Sequence, residues 1–277
     1  MARTNTAAAR VKPAVSELLT LHVLRRATVS PHLVRVTLGG GDAARFRYLG
    51  FDQWFRLFIP VSQDSLARLP NKLDTIAYLK YLAISATSRP VLRNYTVRAY
   101  RADGPDGPEL DVDFVLHGSA ADGTAGPAAS WAESCAVGDA VAIIDEGITF
   151  TPPEGLERVL IVADETGLPA VAGILASLPR GSRGHALVEI PSEADAQPLD
   201  APDGVVVTWV ARTDPHDVPG RAVLAAAQAL PLGDEPFYGW VVGEQALPSA
   251  LRRHWVHAGV PKHHITFTGY WKAKRHR

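Results

Sequence analysis

The stretch Val91-Leu-Arg-Asn-Tyr-Thr-Val-Arg98 follows a proline and has the alternating pattern of a β-strand. Because alternate side chains of a strand share a face, Arg93 and Tyr95 are predicted to point the same way and Thr96 the opposite way. An arginine fork pairs with phosphate, and a tyrosine ring stacks on a planar heterocycle. The pair therefore suits a ligand with both groups, although an ordinary strand with a surface arginine would look the same.

Short alternating segments surround this stretch, with glycine- and proline-rich turns between them. They predict strands over residues 19–26, 33–38, 54–59, 93–101, 110–117 and 140–144. Residues 75–84 fit either a helix or a strand. Short strands at this spacing indicate an antiparallel β-barrel. We assign the barrel domain to residues 16–150, after a disordered tail at residues 1–15.

A helix start is predicted between the last two of these strands. Pro127 suits the first position of a helix, where the unpaired N–H groups can hold an anion. His117 ends the strand that leads into this loop, so it could contribute to the same anion site. A plain short helix over one end of the barrel is the alternative.

The pattern changes after the short linker at residues 151–155. Residues 158–164 form a nearly continuous apolar run, which is typical of a parallel strand buried on both faces. Strands then alternate with helices, and the last strand is predicted at residues 264–270. This alternation indicates an α/β domain with a doubly wound parallel sheet over residues 156–277.

Two strand ends of this second domain have unusual residues. Asp164-Glu-Thr-Gly-Leu-Pro169 lacks the G-x-G-x-x-G pattern of a dinucleotide turn, but it places Thr166 and Gly167 at a helix start. Gly243 and Glu244 end a later strand. Either end could be ordinary helix capping. A barrel, a linker and such a sheet together predict two ligands that meet at a domain cleft.

Composition excludes several classes of function. The net charge of −1 provides no general field for nucleic acid or membrane surfaces, and the single cysteine allows no intrachain disulfide. No apolar run approaches the length of a membrane span. We find no nucleophile–base pattern and no metal-ligand spacing, so no metal site is predicted and a cofactor must supply the chemistry. We expect a cytoplasmic monomer.

The sequence resembles the siderophore-interacting proteins, which are FAD-dependent ferric-siderophore reductases of the ferredoxin-reductase-like superfamily. The resemblance extends from about Leu19 to Trp271. It rests on seven blocks in the same order: Arg93-Asn-Tyr-Thr-Val-Arg98, Asp113-Phe-Val-Leu-His-Gly118, Gly126-Pro-Ala-Ala-Ser-Trp-Ala132, Asp164-Glu-Thr-Gly-Leu-Pro169, Val242-Gly-Glu244, Leu251-Arg-Arg253 and Gly269-Tyr-Trp271. Residues 61–90 match poorly.

The resemblance implies an FAD site in the first domain. Arg93 would meet the pyrophosphate, Tyr95 would stack on the isoalloxazine, and Thr96 would lie near its reactive nitrogen. The remaining cofactor residues that it implies are Val97, His117, Gly126, Ala128, Ala129, Ser130, Trp131 and Thr166. Ala129 stands where the family usually has serine, so only a backbone contact is expected there.

The resemblance also implies a site for NADPH or NADH and for a ferric siderophore. The nucleotide would dock over residues 164–169, and its contacts would be Asp164, Thr166, Gly167, Gly243 and Glu244. Arg212 follows a strand and could bind a 2′-phosphate, although a surface arginine is the alternative and the slightly better fit. Tyr270 and Trp271 would lie beside the flavin. Lys272, Lys274 and Arg275 would attract anionic siderophores, unless the tail is only a solvated end.

These features predict NAD(P)H-dependent, FAD-mediated reduction of a ferric siderophore. Two other classes remain open. One is a general flavin or ferredoxin-type electron-transfer reductase, and the other is a flavin-bearing siderophore-binding protein without turnover.

Overall fold

The computed structural model describes residues 10–14, 16–62, 64–70, 75–116, 126–214 and 217–273. The chain divides into two compact units. One contains Lys12–Leu49 and Gln53–Ile148, and the other contains Gly50–Asp52 and the chain from Thr149 onward. In the described ranges, no helix is both long enough and apolar enough to cross a membrane.

Among the described residues, seven antiparallel strands and two α-helices form the first unit. The elements are β1 (Leu18–Ser30), β2 (Leu33–Gly39), β3 (Trp54–Ile59), α1 (Thr75–Ala83), β4 (Val91–Thr96), β5 (Ala99–Gly104), β6 (Gly107–Val115), α2 (Pro127–Ser134) and β7 (Ala140–Gly147). The strands pair in the order β4-β3-β7-β1-β2-β6-β5. The predicted antiparallel architecture is therefore confirmed, and the open segment at residues 75–84 is a helix.

Residues 93–101, predicted as one strand, belong to two strands. The predicted strand at residues 93–101 is interrupted at Val97 and Arg98, between β4 and β5. The Val97 N–H donates to the carbonyl of Gln53, while the Arg98 N–H donates to that of Asp111 on β6, at 2.8 Å each. This two-residue connector therefore links the two end strands of the sheet and draws its edges together.

The alternation of β6 separates an apolar face from a charged face. Leu110, Val112 and Phe114 are fully buried in the core of the unit. The carboxylates of Glu109, Asp111 and Asp113 lie on the other face. They pair with arginines of neighbouring strands, including Arg25, Arg35 and Arg101. The pairs lower the pKa of Glu109 and Asp111, so these buried carboxylates stay ionised.

The second unit is built around a parallel sheet. Its elements are β8 (Arg158–Ala163), α3 (Leu168–Ser177), β9 (Arg183–Ile190), β10 (Gly204–Ala211), α4 (Arg221–Ala229), β11 (Tyr238–Glu244), α5 (Ala246–His257) and β12 (Ile265–Trp271). The strand order is β10-β9-β8-β11-β12. Counted within the unit this is 3-2-1-4-5, the order of doubly wound dinucleotide-binding sheets. The predicted α/β class is confirmed.

A short segment from the first half of the chain belongs to the second unit. The buried Asp52 carboxylate accepts the backbone N–H groups of Thr149 and Phe150, at 2.9 Å each. Phe51 donates its N–H to Ser177 Oγ (2.8 Å), and its ring stacks on Phe150. The units therefore do not follow each other simply along the sequence.

Candidate functional site

The first part of the site lies on the end strand β4. Arg93 is exposed, and its guanidinium donates to the neighbouring carbonyl of Leu92 (2.7 Å). The Tyr95 ring packs against Phe114 of β6 at a centroid distance of 4.3 Å, and Phe114 contacts Trp131 of α2 at 5.6 Å. Burial raises the pKa of the Tyr95 phenol, so it stays protonated. An aromatic cluster thus lies near an accessible cation.

Thr96 and Val97 differ in what they can offer a ligand. Thr96 is buried at the end of β4. Because β4 is the first strand of its sheet, its outer backbone edge has no partner strand within the described ranges. The Val97 side chain is fully buried in the core, and its N–H is bonded to Gln53. The predicted flavin contact by Val97 therefore does not fit its side chain or its amide; it is a core residue.

The predicted anion-binding helix is α2. Pro127 occupies its first turn, and the Gly126 cap has an ordinary extended backbone (φ −70°, ψ 153°). A Cβ built on Gly126 would meet no described atom within 4 Å, so neither its backbone conformation nor its packing against the described residues requires glycine there. The Ala128 and Ala129 side chains are buried, which leaves only their backbone N–H groups for a ligand, and Ser130 is half-buried. His117 lies outside the described residues.

In the second unit, Asp164 connects three strand ends. It follows β8 and is fully buried. Its Oδ2 accepts the Glu244 N–H at 2.6 Å and the Trp271 indole N–H at 3.1 Å. Its Oδ1 accepts the backbone N–H of Thr166 at 3.0 Å and the Thr166 hydroxyl. Burial, followed by the nearby Glu165 carboxylate, raises the Asp164 pKa to about 6. Asp164 is thus a positioning residue whose oxygens are already engaged, and the predicted direct contact with a nucleotide does not fit.

Two glycines allow this close arrangement. Gly243 has φ +134°, and a Cβ there would lie 2.6 Å from the Asp164 carboxyl carbon. At Gly167 a Cβ would lie 2.5 Å from Val242 and 2.7 Å from Ala163, so glycine allows the start of α3 to pack directly on the strands. Both predicted glycines therefore lie at the carboxyl ends of β8 and β11, where sheets of this type bind ligands.

The carboxylate of Glu244 binds backbone rather than facing a ligand. Its Oε2 accepts the Ala246 N–H at the start of α5 (2.6 Å), and its Oε1 accepts the Ala273 N–H (3.2 Å). The Trp271 carbonyl accepts the Gln245 N–H at 2.9 Å. These bonds fix the chain after β12 at the carboxyl edge of the sheet. These bonds give the Glu244 side chain a positioning role, and its contact with a nucleotide stays a prediction.

The predicted aromatic pair is partly accessible. Tyr270 is 39% exposed, while Trp271 is half-buried with its indole held by Asp164. Lys272 is exposed beside them. The predicted residues Lys274 and Arg275 lie outside the described part of the chain.

Arg212 does not fit the predicted contact with a 2′-phosphate. Its Nη atoms donate to both Glu165 oxygens, at 2.8 and 3.0 Å, and to Glu189 Oε1 at 3.2 Å. The side chain is only 5% exposed, and both glutamates are fully buried. Glu189 also accepts the N–H groups of Gly220 and Val223 at the start of α4. Arg212 is therefore a structural residue that links three elements.

Three residues of the site region were not predicted from the sequence: Phe114, Glu165 and Glu189. Phe114 follows from the alternation of β6, because it shares the inner face with Leu110. Glu189 interrupts the apolar second half of β9, and a buried carboxylate needs a cationic partner. That rule would have identified an ion pair, but not Arg212 as the partner, since Arg212 is 23 residues away.

Comparison with known proteins gives two family matches in consecutive segments. The siderophore-interacting FAD-binding domain matches residues 22–149. The siderophore-interacting protein model matches residues 156–274. The boundary between the matches falls close to the division between the two units at Ile148 and Thr149.

Individual relatives agree with these matches. The chain is 29% identical over 234 residues to ferric vibriobactin reductase ViuB of Vibrio cholerae, covering 84% of this chain and 81% of that protein. It is 27% identical over 257 residues to the NADPH-dependent ferric-chelate reductase of Escherichia coli K12, covering 92% of each. The crystal structure of a siderophore utilization protein from T. fusca matches with a TM-score of 0.75 at 26% identity, covering 96% of this chain and 97% of that one. The chain therefore belongs to the siderophore-interacting protein family, and it is an FAD-dependent oxidoreductase.

Proposed function

We propose that this protein passes electrons from NADH or NADPH, through bound FAD, to a ferric siderophore. When bound, FAD supplies the exchange between a two-electron hydride donor and a one-electron acceptor. The hard oxygen donors of siderophores hold Fe(II) much less firmly than Fe(III), so reduction releases the iron. The protein does not need to ligate the iron itself, because the iron is the substrate.

The observation that carries this proposal is the exposed Arg93 beside the aromatic cluster of Tyr95, Phe114 and Trp131. A guanidinium fits the FAD diphosphate, and the Tyr95 ring fits the isoalloxazine. Gly126 adds support, because no atom of the described residues lies within 4 Å of a Cβ built there, and glycine is the usual residue where backbone comes close to a ligand.

The second unit would receive the nucleotide and the iron substrate. The backbone around Thr166 and Gly167 lies at a helix start, which suits a nucleotide phosphate. Tyr270 and Trp271 would form an aromatic wall that the bond from Trp271 to Asp164 holds in one orientation. Lys272, with Lys274 and Arg275 beyond the described chain, would attract anionic siderophores.

The test uses the oxidative half-reaction alone. The FAD-loaded protein is photoreduced without oxygen and mixed in a stopped-flow instrument with a ferric catecholate siderophore or with oxidised ferredoxin. We expect the siderophore to reoxidise the flavin, with Fe(II) appearing in a ferrozine trap at the same rate. Rapid reoxidation by ferredoxin alone would indicate a general reductase. Siderophore binding without reoxidation would indicate a binding protein.

We also propose that the protein acts as a monomer in the cytoplasm, where reduced nicotinamide nucleotides are supplied. Light scattering on the FAD-loaded protein tests the first point. A mass near 29.7 kDa is expected, and a mass twice as large would contradict it.

A further inference from the structure

A pocket of about 520 Å³ opens at the carboxyl ends of β9 and β10. This volume lies within the range of about 300–1,000 Å³ that small-ligand sites occupy. Its lining is Ile190, Glu193, Ala196, Trp209, Val210 and Ala211. The pocket therefore offers apolar walls, one large aromatic ring and a single carboxylate.

Glu193 is held in place by the turn in which it lies. Asp195 Oδ2 accepts the N–H and the hydroxyl of Ser192, at 3.1 and 2.8 Å, and closes a single helical turn around Glu193. Asp195 is fully buried, whereas Glu193 is exposed. The turn thus directs one of its two acidic residues inward and leaves the other beside the pocket.

The position of Glu193 in the fold indicates which group of a nucleotide it could bind. β9 is the second strand of this 3-2-1-4-5 sheet, and Glu193 comes three residues after it. In dinucleotide-binding sheets an acidic residue after the second strand accepts a hydrogen bond from the adenosine ribose 2′-hydroxyl, whereas a nearby arginine accommodates a 2′-phosphate. Glu193 is placed for the first of these alternatives.

The arginine that could favour the second alternative is already engaged. Arg212 extends the pairing of β10 with β9 by donating its N–H to Ile190 (3.1 Å), but its guanidinium is bound between Glu165 and Glu189. Turning it toward a phosphate would leave the buried carboxylates of Glu165 and Glu189 without their cationic partner, which is strongly unfavourable. With two carboxylates for one guanidinium, this buried group offers no net positive charge.

We propose that this pocket receives the adenosine end of the nucleotide and that Glu193 selects NADH over NADPH. The Glu193 carboxylate accepts the ribose 2′-hydroxyl of NADH and repels the 2′-phosphate of NADPH, while Trp209 provides a surface for the adenine. This choice is opposite to the NADPH in the name of the Escherichia coli relative. The proposal rests on the proposed function, because it assumes that a nicotinamide nucleotide is the electron donor.

The first test measures binding of nucleotide fragments to the FAD-loaded protein by ligand-observed NMR. We expect 5′-AMP to bind at least about tenfold more tightly than adenosine 2′,5′-bisphosphate, the scale of one charged hydrogen bond. Glu193→Gln should remove most of this difference, and Trp209→Ala should weaken both fragments. Glu154→Gln, at an exposed glutamate away from the pocket, is the matched control and should change neither affinity.

Three results of this test would overturn the proposal. They are tighter binding of the bisphosphate by the wild-type protein, an unchanged ratio of affinities in Glu193→Gln, and no binding of either fragment. Arg221, the exposed first residue of α4, follows Gly220, whose N–H donates to Glu189. A preference for the bisphosphate that disappears in Arg221→Ala would assign phosphate binding to that residue instead.

The second test compares anaerobic flavin reduction by NADH and by NADPH. NADH should be favoured at least about tenfold in rate constant divided by Kd, and Glu193→Arg should shift the preference toward NADPH. Equal use of both donors by the wild-type protein would contradict the assignment. Reoxidation of photoreduced protein by a ferric siderophore involves no nucleotide, so failure of the proposed function would be seen separately.

Discussion

At the scale of single residues, the side chains that the site depends on fall into two groups. In the first group, the polar side-chain atoms form hydrogen bonds with other parts of the chain and so position the strand ends. This group contains Asp164, Glu244 and Arg212. Arg93 is exposed, and its guanidinium donates to the carbonyl of the adjacent Leu92. Substitution of an exposed residue such as Arg93 can change ligand affinity without changing the fold.

Arg93→Ala should therefore weaken FAD binding and leave the apoprotein intact. Loss of a charged hydrogen bond to the diphosphate is expected to cost about 1.5–3 kcal/mol of binding free energy. The free energy of unfolding of the apoprotein should change by no more than about 0.5 kcal/mol, as is usual for exposed positions. FAD fluorescence titration and urea denaturation measure the two quantities.

Arg47→Ala is the matched control for this experiment. Arg47 is an exposed arginine of the same unit, and its side chain donates only weakly to the Ala44 carbonyl, at 3.5 Å. Its removal should leave FAD affinity unchanged. Equal losses of affinity in both variants would mean that general charge, rather than a contact made by Arg93, determines FAD binding.

The raised pKa of Asp164 predicts a local titration. With a folded pKa of about 6 against an ordinary 3.8, the carboxyl is protonated at lower pH and ionised at higher pH. Its contribution to stability is therefore largest in acid and is lost as the pH rises through about 6. Because Trp271 donates to this carboxyl, we expect its indole N–H resonance to shift with a midpoint near pH 6.

Asp164→Asn should abolish that titration. The indole of Trp255, buried in the same unit and without a hydrogen-bond partner among the described residues, should not shift and serves as the internal control. A Trp271 signal that stays constant between roughly pH 5 and 7, or that still titrates in Asp164→Asn, would exclude Asp164 as the titrating group.

At the scale of elements, the junction of β11 with α5 depends on one glycine. Gly243→Ala would place a methyl group 2.6 Å from the Asp164 carboxyl carbon at φ +134°. Steric overlap and backbone strain should together lower the free energy of unfolding by about 2–4 kcal/mol. Gly259→Ala tests backbone strain alone, since φ is +92° and no described atom lies within 4 Å of the added carbon.

Urea denaturation of the two glycine variants separates these causes. Gly259→Ala should cost only about 1–2 kcal/mol. If Gly243→Ala cost no more than Gly259→Ala, the Asp164 carboxylate would have room to move away, and its hydrogen bonds would not require a glycine at this junction.

Most elements could be predicted from the sequence because their signals are local. Strand alternation, the apolar run of β8 and the proline at the start of α2 each act within a few residues, so β3 was predicted with its observed bounds. The break at Val97 was not predictable from its neighbours, because it depends on bonds to Gln53 and Asp111. The role of Arg212 was missed for the same reason: its partners are distant in sequence.

At the scale of the whole molecule, two units with different sheets have separate cores. The antiparallel unit carries the residues that fit FAD, and the parallel unit has the strand order of a nucleotide-binding sheet. Gly50–Asp52 nevertheless leaves the first unit and joins the second. A substitution at Gly50–Asp52 should therefore destabilise the second unit, although most of that unit comes from residues after Ile148.

Asp52→Ala makes this expectation measurable. It would leave the buried N–H groups of Thr149 and Phe150 without their acceptor, at a cost of about 1–3 kcal/mol each. Hydrogen exchange at these two amides should accelerate, with little change in β1 and β2.

Asp42→Ala is the matched control, because Asp42 accepts the Thr20 N–H at 2.9 Å entirely within the first unit. It should accelerate exchange at Thr20 and not at Thr149. If Asp52→Ala instead loosened only the antiparallel sheet, the segment would belong functionally to the first unit, and the chain would divide in simple sequence order.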